Sequence, residues 1–462
     1  MVLKEVLCLA LLSSWPRAQG LYRNPHVNPL EVSFSDAFSP RLAEAAMVKQ
    51  PAALLVDEDE TVVYVSSFLN DAVLRAPLPL TTASRFEIFA QGSYCRKDLS
   101  MCAILNGPWG LAADREGRIF VASFGSDQVL VFSHEGEFLG ALGDSQSLDS
   151  PEGIAISPDG TTLVVASFLD SRIVAFDLAN APFLATSKSA SLGPSGDNIA
   201  AGWWTVAEGT PVDLEYMVER VEAQLLRGTS DEQDTYPPSL DLLHGPEDII
   251  FLDGGRGFSA YITAATSPTA LEDDRALHAA ATDSPVEEQR RRLSGRIAVS
   301  SHYNSSILVL DATSGAIEEV LYAAHGALDV PMGLAVDPWD SAGPVEPSIL
   351  CTSYRSREPG LVARFRDGAY AGVAMSSRFL AGPSALQILS DKSVLVASYD
   401  TNSILVFNRT SSVESDAELD LVLRASGSLR QPPNRPAPAR KRGRGAKNEQ
   451  QKRRNRKRHS AR

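Results

Sequence analysis

Long apolar runs are what this chain lacks: no stretch of its 462 residues is apolar for long enough to span a membrane as a helix. Cysteine is scarce, with four in all, and none stands in the Cys-x-x-Cys spacing of zinc sites or thioredoxin-like motifs. Three common catalytic signatures are missing too. There is no Gly-x-Ser-x-Gly elbow, no His-Glu-x-x-His pair and no phosphate-cradling Gly-Lys-Ser/Thr loop. The glycine pair in Asp253-Gly-Gly-Arg256 reads as a hairpin turn.

What the chain has instead is a repeat. Its clearest copy starts at Pro151, makes a short strand around Ile154, turns at Ser157-Pro-Asp-Gly160, and makes a second strand ending Val165-Ala-Ser-Phe168. It turns again at Asp170-Ser171 into a third strand, Arg172-Ile-Val-Ala-Phe176. The same strand-two ending recurs as Val65-Ser-Ser-Phe68, Val121-Ala-Ser-Phe124, Val299-Ser-Ser-His302, Cys351-Thr-Ser-Tyr354 and Val396-Ala-Ser-Tyr399. Each copy opens with a proline: Pro51, Pro108, Pro151, Pro246, Pro331 or Pro383. Proline has no N–H to give to a ladder and suits a strand's first position. A fourth strand closes each copy, at 85–89, 137–140, 182–184, 316–321, 369–373 and 419–423.

Six such units predict an all-β chain, a six-bladed β-propeller of four-stranded antiparallel blades that bury their faces by stacking. An elongated solenoid or a sandwich is the alternative. The opening proline, the Asp-Gly turn and the Val-Ala-Ser-Phe strand resemble the NHL repeat. They also resemble the wider group of gluconolactonase-like and strictosidine-synthase-like propellers, over about residues 51–425. Such motifs specify fold more than function, because propellers host enzymes and binding modules alike.

Around the propeller, taken as 51–428, the chain divides further. Residues 1–20 carry Lys4, the apolar run 6–12 and the small-x-small pattern Ala18-Gln-Gly20, which together read as a signal peptide. The alternative is a disordered or membrane-associated N-terminus. Residues 21–50 form an extension in which 30–34 alternate like a strand that helps close the ring. In an oxidising compartment Cys95 and Cys102 would form a disulfide, whereas Cys351 reads as a buried small hydrophobe. An insertion at 185–243 contains an expected amphipathic helix over 210–228, capped by Thr210, with Pro211 at its first position and Gly228 at its exit. A second insertion, 266–294, reads as a loop with at most one short helix. It leaves 258–262 and 296–299 competing for the second strand of blade four.

The tail, 429–462, holds fourteen Lys or Arg against Glu449 alone. Its net charge is +13, and the overall −14 therefore leaves −27 on residues 1–429. This composition predicts disorder and affinity for polyanions, with sulfated or acidic polysaccharide ahead of nucleic acid. The clusters Arg440-Lys-Arg442 and 452–458 also imitate a nuclear-localisation signal, which conflicts with secretion. A tail folded back on its own acidic propeller is the further alternative.

The opening of strand one and the turn between strands two and three share one end of the ring. Ligands usually bind there, as the family resemblance implies. The residues after the opening prolines are Ala52, Trp109, Glu152, Glu247, Met332 and Ser384; the turns supply Asn70, Asp127, Asp170, His302 with Tyr303, Arg355 and Asp400. Glu152, Glu247 and Asp248 resemble the calcium-binding positions of gluconolactonase-like enzymes, so Ca²⁺ is the one cofactor implied. A hydrated acidic mouth is the alternative. Those enzymes also use an Asn and an Asp from further blades, which the sequence does not place here.

Peptidylamidoglycolate lyase, another enzyme of this fold, holds zinc with several histidines. Of His134, His244, His278, His302 and His325, only His244 and His302 stand near the axis, one short of a three-ligand site. Trp109, His302, Tyr303, Tyr354, Arg355, Tyr399 and Asp400 suit a sugar or peptide surface, with inter-blade packing the alternative for the two tyrosines. Asn304 and Asn408 begin glycosylation sequons.

The reading is a secreted, non-catalytic binding propeller whose upper face takes protein or glycan, with a polyanion-seeking tail. The alternatives are a calcium-dependent hydrolase or lactonase, and an intracellular or nuclear scaffold.

Overall fold

The computed structural model describes residues 48–81, 84–96, 101–178, 202–212, 242–252, 256–257, 293, 295–323, 328–340, 348–354, 360–377, 379–408 and 418–424. Six antiparallel sheets follow one another in chain order, except that the short strand Arg256–Gly257 pairs onto the first strand of blade three. Blade one is Pro51–Val56, Val62–Ser67, Ala72–Pro77 and Glu87–Gln91, and blade two is Pro108–Ala113, Ile119–Ser123, Gln128–Phe132 and Phe138–Leu142. Blade three is Pro151–Ile156, Thr162–Ser167, Arg172–Asp177 and Trp203–Glu208. Blade four is Pro246–Phe251, Arg296–Ser301, Ser306–Asp311 and Ile317–Leu321. Blade five is Pro331–Asp337, Ser348–Ser353, Gly360–Arg366 and Ala369–Ser377, and blade six is Pro383–Ile388, Val394–Ser398, Ser403–Asn408 and Glu418–Arg424. The first strands pack on one another in cyclic order, the sixth against the first, so strand one of every blade lines the axis. The protein is a six-bladed β-propeller.

Two strand assignments are sharpened. The strand that completes blade three is Trp203–Glu208, inside the stretch read as an insertion, with Phe176 opposite Trp203 and Ala175 opposite Trp204. Two adjacent tryptophans, both buried, cover far more of the sheet than a strand beginning in proline would. The segment 182–184 lies outside the described residues. In blade four Arg296–Ser301 is the second strand, paired with Pro246–Phe251. It carries the Val-Ser-Ser ending of the repeat. The competing 258–262 lies outside the described residues, as do 30–34, 213–228 of the expected helix, His278, Arg355 and the tail.

A clasp repeats at the axial end of every blade. The serine that ends strand two is buried, and its Oγ accepts the N–H of the residue two before the opening proline. The six pairs are Ser67 with Lys49, Ser123 with Asn106, Ser167 with Asp149, Ser301 with His244, Ser353 with Asp329 and Ser398 with Ala381, at 2.8–3.0 Å. The next backbone N–H donates to the carbonyl of the residue just before the proline, at 2.9–3.2 Å in all six blades. That pre-proline residue has a left-handed backbone each time, with φ of 50° to 63° at Gln50, Gly107, Ser150, Gly245, Val330 and Gly382. Side chains in the turns after strand two stitch blade to blade. Asp71 accepts from Gly107 N–H, Asp127 from Ser150 N–H, Ser171 from Gly245 N–H and Asn402 from Gln50 N–H, at 2.7–3.0 Å.

The Asn402–Gln50 bond joins blade six to blade one. Ser384 Oγ donates to Pro51 O at 2.6 Å across the same seam. Ala385, Leu395, Ala397 and Ile404 pack into the apolar layer of blade one there. Beside this frame, Ser93–Cys95 and Cys102–Ile104 form a small hairpin joined by a Cys95–Cys102 disulfide, and Cys351 is a buried free thiol.

Crowding at the axis sets the third residue of strand one. A Cβ on Gly153 would stand 2.5 Å from Asp248 Cα and 2.6 Å from Glu247 O of the next blade. We therefore expect Gly153→Ala to destabilise the fold by about 1–3 kcal/mol through overpacking. Ser167→Ala removes the buried hydroxyl that accepts the half-buried Asp149 N–H and is expected to cost about 1 kcal/mol. Urea unfolding followed by tryptophan fluorescence measures both. Wild-type midpoints in either variant would refute the inter-blade contact or the clasp respectively.

Candidate axial site

Because the clasp fixes the start of strand one against the end of strand two, two side chains per blade are delivered to the mouth of the ring. One follows the proline: Ala52, Trp109, Glu152, Glu247, Met332 and Ser384. The other follows the clasp serine: Phe68, Phe124, Phe168, His302, Tyr354 and Tyr399. All twelve are buried except Phe124, which is half-buried.

The second set forms a nearly continuous aromatic ring. Phe68 meets Trp109 edge to face at 5.2 Å between centroids, and Tyr399 lies 6.4 Å from Phe68, 6.1 Å from Trp109 and 6.0 Å from Tyr354. On the far side Phe168 stands edge-on to His302 at 5.6 Å, and Tyr303 covers His302 at 4.4 Å and His244 at 5.0 Å. Trp109, Tyr354, Tyr399, Phe68, Ala52 and Met332 belong to one apolar cluster. Tyr354 and Tyr399 thus pack between blades, and with Trp109 and His302 they form a closed layer in place of an open shelf. The three phenylalanines are members that the sequence reading left in the framework. Their signal was in the repeat, since each occupies the position that is His302 or a tyrosine elsewhere.

Within this layer sits a group of polar side chains. Glu152 and Glu247 occupy equivalent positions in neighbouring blades, each 2% exposed. His302 Nδ1 is hydrogen-bonded to Glu247 Oε1, while Glu247 Oε2 is buried and has no partner among the described residues. Tyr354 donates to Asp400 Oδ1 at 3.1 Å. The Tyr399 hydroxyl is buried and makes no hydrogen bond among the described residues. Burial, and then the charges of Asp400, Glu152 and Glu247, push its pKa well above 10, so it keeps its proton. Burial likewise raises Asp400 and Asp170, and Asp170 is held by Arg172 through Nε at 2.8 Å.

Asp248 does not join this group. Its two oxygens accept Ile249 N–H at 2.9 Å and Leu334 N–H of blade five at 2.7 Å. It stands at the crowded third position, where other blades carry Gly110, Gly153, Gly333, Ala53 or Ala385. With Asp248 committed to backbone, the trio Glu152, Glu247 and Asp248 does not make a calcium shell, which needs six to eight oxygens. Among the described residues no three His, Cys, Asp or Glu side chains form a group able to hold a metal. His244 and His302 are both buried at the mouth, His244 against Tyr303 and His302 against Glu247. Asn304 is half-buried and its amide donates to Leu242 O at 2.7 Å, and Asn408 ends strand three of blade six.

No protein-family model and no curated protein matches the chain in sequence. Among solved structures it is similar to virginiamycin B lyase from Staphylococcus aureus, with 9% identity over 82% of this chain and 87% of that one, at a TM-score of 0.43. It is similar also to a chain of the nidogen/laminin complex, with 12% identity, 79% and 92% coverage and a TM-score of 0.43. A chain of Kuenenia stuttgartiensis hydrazine synthase shows 11% identity, 84% and 90% coverage and a TM-score of 0.41. At such identities and TM-scores these likenesses carry no argument about function.

Burial, with the neighbouring Glu247 charge adding to it, raises the Asp248 pKa from 3.8 to about 8 against its two N–H donors. Folded Asp248 therefore keeps its proton where an unfolded aspartate has lost it. The stability it contributes is whole below pH 4 and disappears as pH rises through 8. Asp248→Ala places the residue of blades one and six there. We expect the loss of melting temperature between pH 5 and pH 8.5 to be smaller in this variant than in wild type. Equal losses in calorimetry would refute the assignment.

Proposed function

We propose that the chain is a secreted, NHL-like recognition module that binds protein or glycan at the axial mouth and polyanions through its basic tail. The observation that carries the recognition reading is a division between frame and face. The clasp is the same in six blades, yet the residue after the proline is Ala, Trp, Glu, Glu, Met or Ser. A frame of fixed geometry that presents variable side chains at one end is suited to selecting a ligand.

Secretion is supported by the pattern at 1–20 and by the exposed Cys95–Cys102 bridge, a linkage that persists in oxidising compartments. No helix among the described residues is long and apolar enough to cross a membrane. The charge contrast between tail and remainder, +13 against −27, favours a polyanionic surface such as sulfated polysaccharide for the tail.

The recognition reading is tested by probing a glycan array and a displayed library of extracellular peptides with the full chain. Binders are expected to be lost in Trp109→Ala, which installs the residue of blade one, and kept in Ile88→Ser on the outer strand, where Ile88 is 53% exposed. Binders that survive Trp109→Ala and fail with Ile88→Ser would move recognition off the mouth. The secretion reading is tested on the mature protein from its native cell, by N-terminal sequencing and glycan mapping. A start at Leu21 with glycan on Asn304 or Asn408 is expected. An intact Met1 with bare asparagines would overturn it.

A further inference from the structure

The hairpin between blades one and two does more than connect them. Its strands, Ser93–Cys95 and Cys102–Ile104, are three residues each, with Tyr94 opposite Ala103 and Cys95 opposite Cys102. Two backbone bonds flank these pairs, from Leu105 N–H to Gly92 O at 2.9 Å and from Arg96 N–H to Met101 O at 3.0 Å. A two-stranded ribbon this short does not hold itself together in water. Its order depends on the Cys95–Cys102 bridge and on the surface beneath it.

That surface is the outer strand of blade two, Phe138–Leu142, which ends its sheet. Tyr94 stands edge-on to Phe132 at 5.0 Å and stacks on Phe138 at 5.7 Å. Ala103 and Leu105 are buried in the apolar layer that also holds Phe138 and Ala141, and Met101 packs against it. Ala141 N–H donates to Met101 Sγ at 3.1 Å, so a backbone group on the sheet's open edge finds its acceptor in the hairpin. The strand itself carries no charge, whereas the outer strands of blades one and four carry Glu87 and the pair Glu318 and Glu319. An uncharged edge is the kind that pairs with other chains unless it is covered, and the hairpin is the cover.

The bridge that closes the cover faces solvent. Cys95 and Cys102 are both exposed, with Tyr94 and Met101 half-buried beside them, while the free thiol Cys351 is buried. Thiol–disulfide exchange requires access of a thiolate to a bridge sulfur, and exposed bridges are the labile ones.

We propose that the Cys95–Cys102 hairpin is a redox switch that uncovers the outer edge of blade two. The reductant is a dithiol. One of its thiolates attacks a bridge sulfur, the S–S bond breaks, and a mixed disulfide forms. The second thiol displaces it and leaves as part of the reductant's own disulfide. Two electrons and two protons pass to Cys95 and Cys102, which become thiols, and the reverse exchange restores the bridge. With the bridge open, the ribbon frays, Tyr94 and Met101 leave blade two, and Ala141 N–H loses its acceptor. The switch is independent of what binds at the mouth.

The test is hydrogen exchange of the full chain by mass spectrometry, before and after dithiothreitol, with bridge opening scored by alkylation of Cys95 and Cys102. Peptides spanning 138–142 are expected to exchange about tenfold faster after reduction, and those spanning 172–177 in blade three at an unchanged rate. The double variant Cys95→Ser with Cys102→Ser should exchange at the fast rate without reductant and show no response to it. Met101→Leu keeps the apolar contact and removes the acceptor, and should speed exchange at residue 141 about threefold with the bridge intact.

Unchanged exchange at 138–142 while both cysteines are alkylated would overturn the switch, because the hairpin would then stay docked by packing alone. A double serine variant as slow as the oxidised wild type would do the same. A bridge that yields to dithiothreitol only where tryptophan fluorescence reports global unfolding would show that it is a structural staple.

Discussion

The hydrogen bond from the backbone ahead of each opening proline to the serine that ends strand two is the constraint on which the architecture rests. Proline cannot donate, so the strand cannot begin its ladder with an N–H at that point, and the chain must be anchored by its neighbours instead. Serine supplies the acceptor from within the same blade. The left-handed residue between anchor and proline then turns the chain into the axis, and the following carbonyl is closed by the residue after the serine. Three constraints meet in a few residues, and all are backbone geometry. A non-glycine residue in this conformation is uncommon, and its tolerance at Gln50, Ser150 and Val330 shows how firmly the surrounding bonds over-determine the turn.

From that anchoring follows a separation between the frame and the side chains at the mouth. The core between blades is made by alternate residues of strands two and three, in apolar layers that lie along each blade-to-blade junction. The backbone at the two mouth positions of each blade is held by the anchor whatever the side chain, and the side chains there pack on one another in turn. The third residue of strand one is the opposite case. It faces the neighbouring backbone at a distance that leaves no room for a Cβ on Gly153. The chain satisfies this constraint with glycine or alanine in five blades. Asp248 departs from the pattern and uses the exception to bind blade five through Leu334 N–H, at the cost of a buried carboxyl whose protonation follows pH.

Much of the frame was legible in the sequence because it is repeated. Six prolines, six serines at fixed offsets and a Ser-Pro-Asp-Gly turn specify strands and blade count before any packing is considered. Blade three was misdivided because its fourth strand comes after a long segment, and periodicity offers no cue to where the sheet resumes; only the paired tryptophans 203 and 204 mark it. The site was legible in part. Offsets from proline and serine located Trp109, Glu152, Glu247, His302, Tyr354 and Tyr399 at one end. They did not say which way a side chain points from a strand, so Asp248 was grouped with its neighbour Glu247 although adjacent strand residues face opposite sides. Nor did they reveal that the acids and the aromatics are buried together, since burial at an axis depends on six blades at once.

That shared burial sets the energetic character of the mouth. Aromatic rings alone would make a stable plug, and a ring of Phe68, Phe124 and Phe168 type in all six blades would be the simplest one. In its place blades three to six bring carboxylates, an imidazole and two phenols into the same layer. Each such group is harder to bury than the phenylalanine or alanine that the fold accepts at an equivalent position. Destabilising groups are thus gathered at one end of an otherwise apolar ring, a cost that the stabilising contacts elsewhere in the frame must offset.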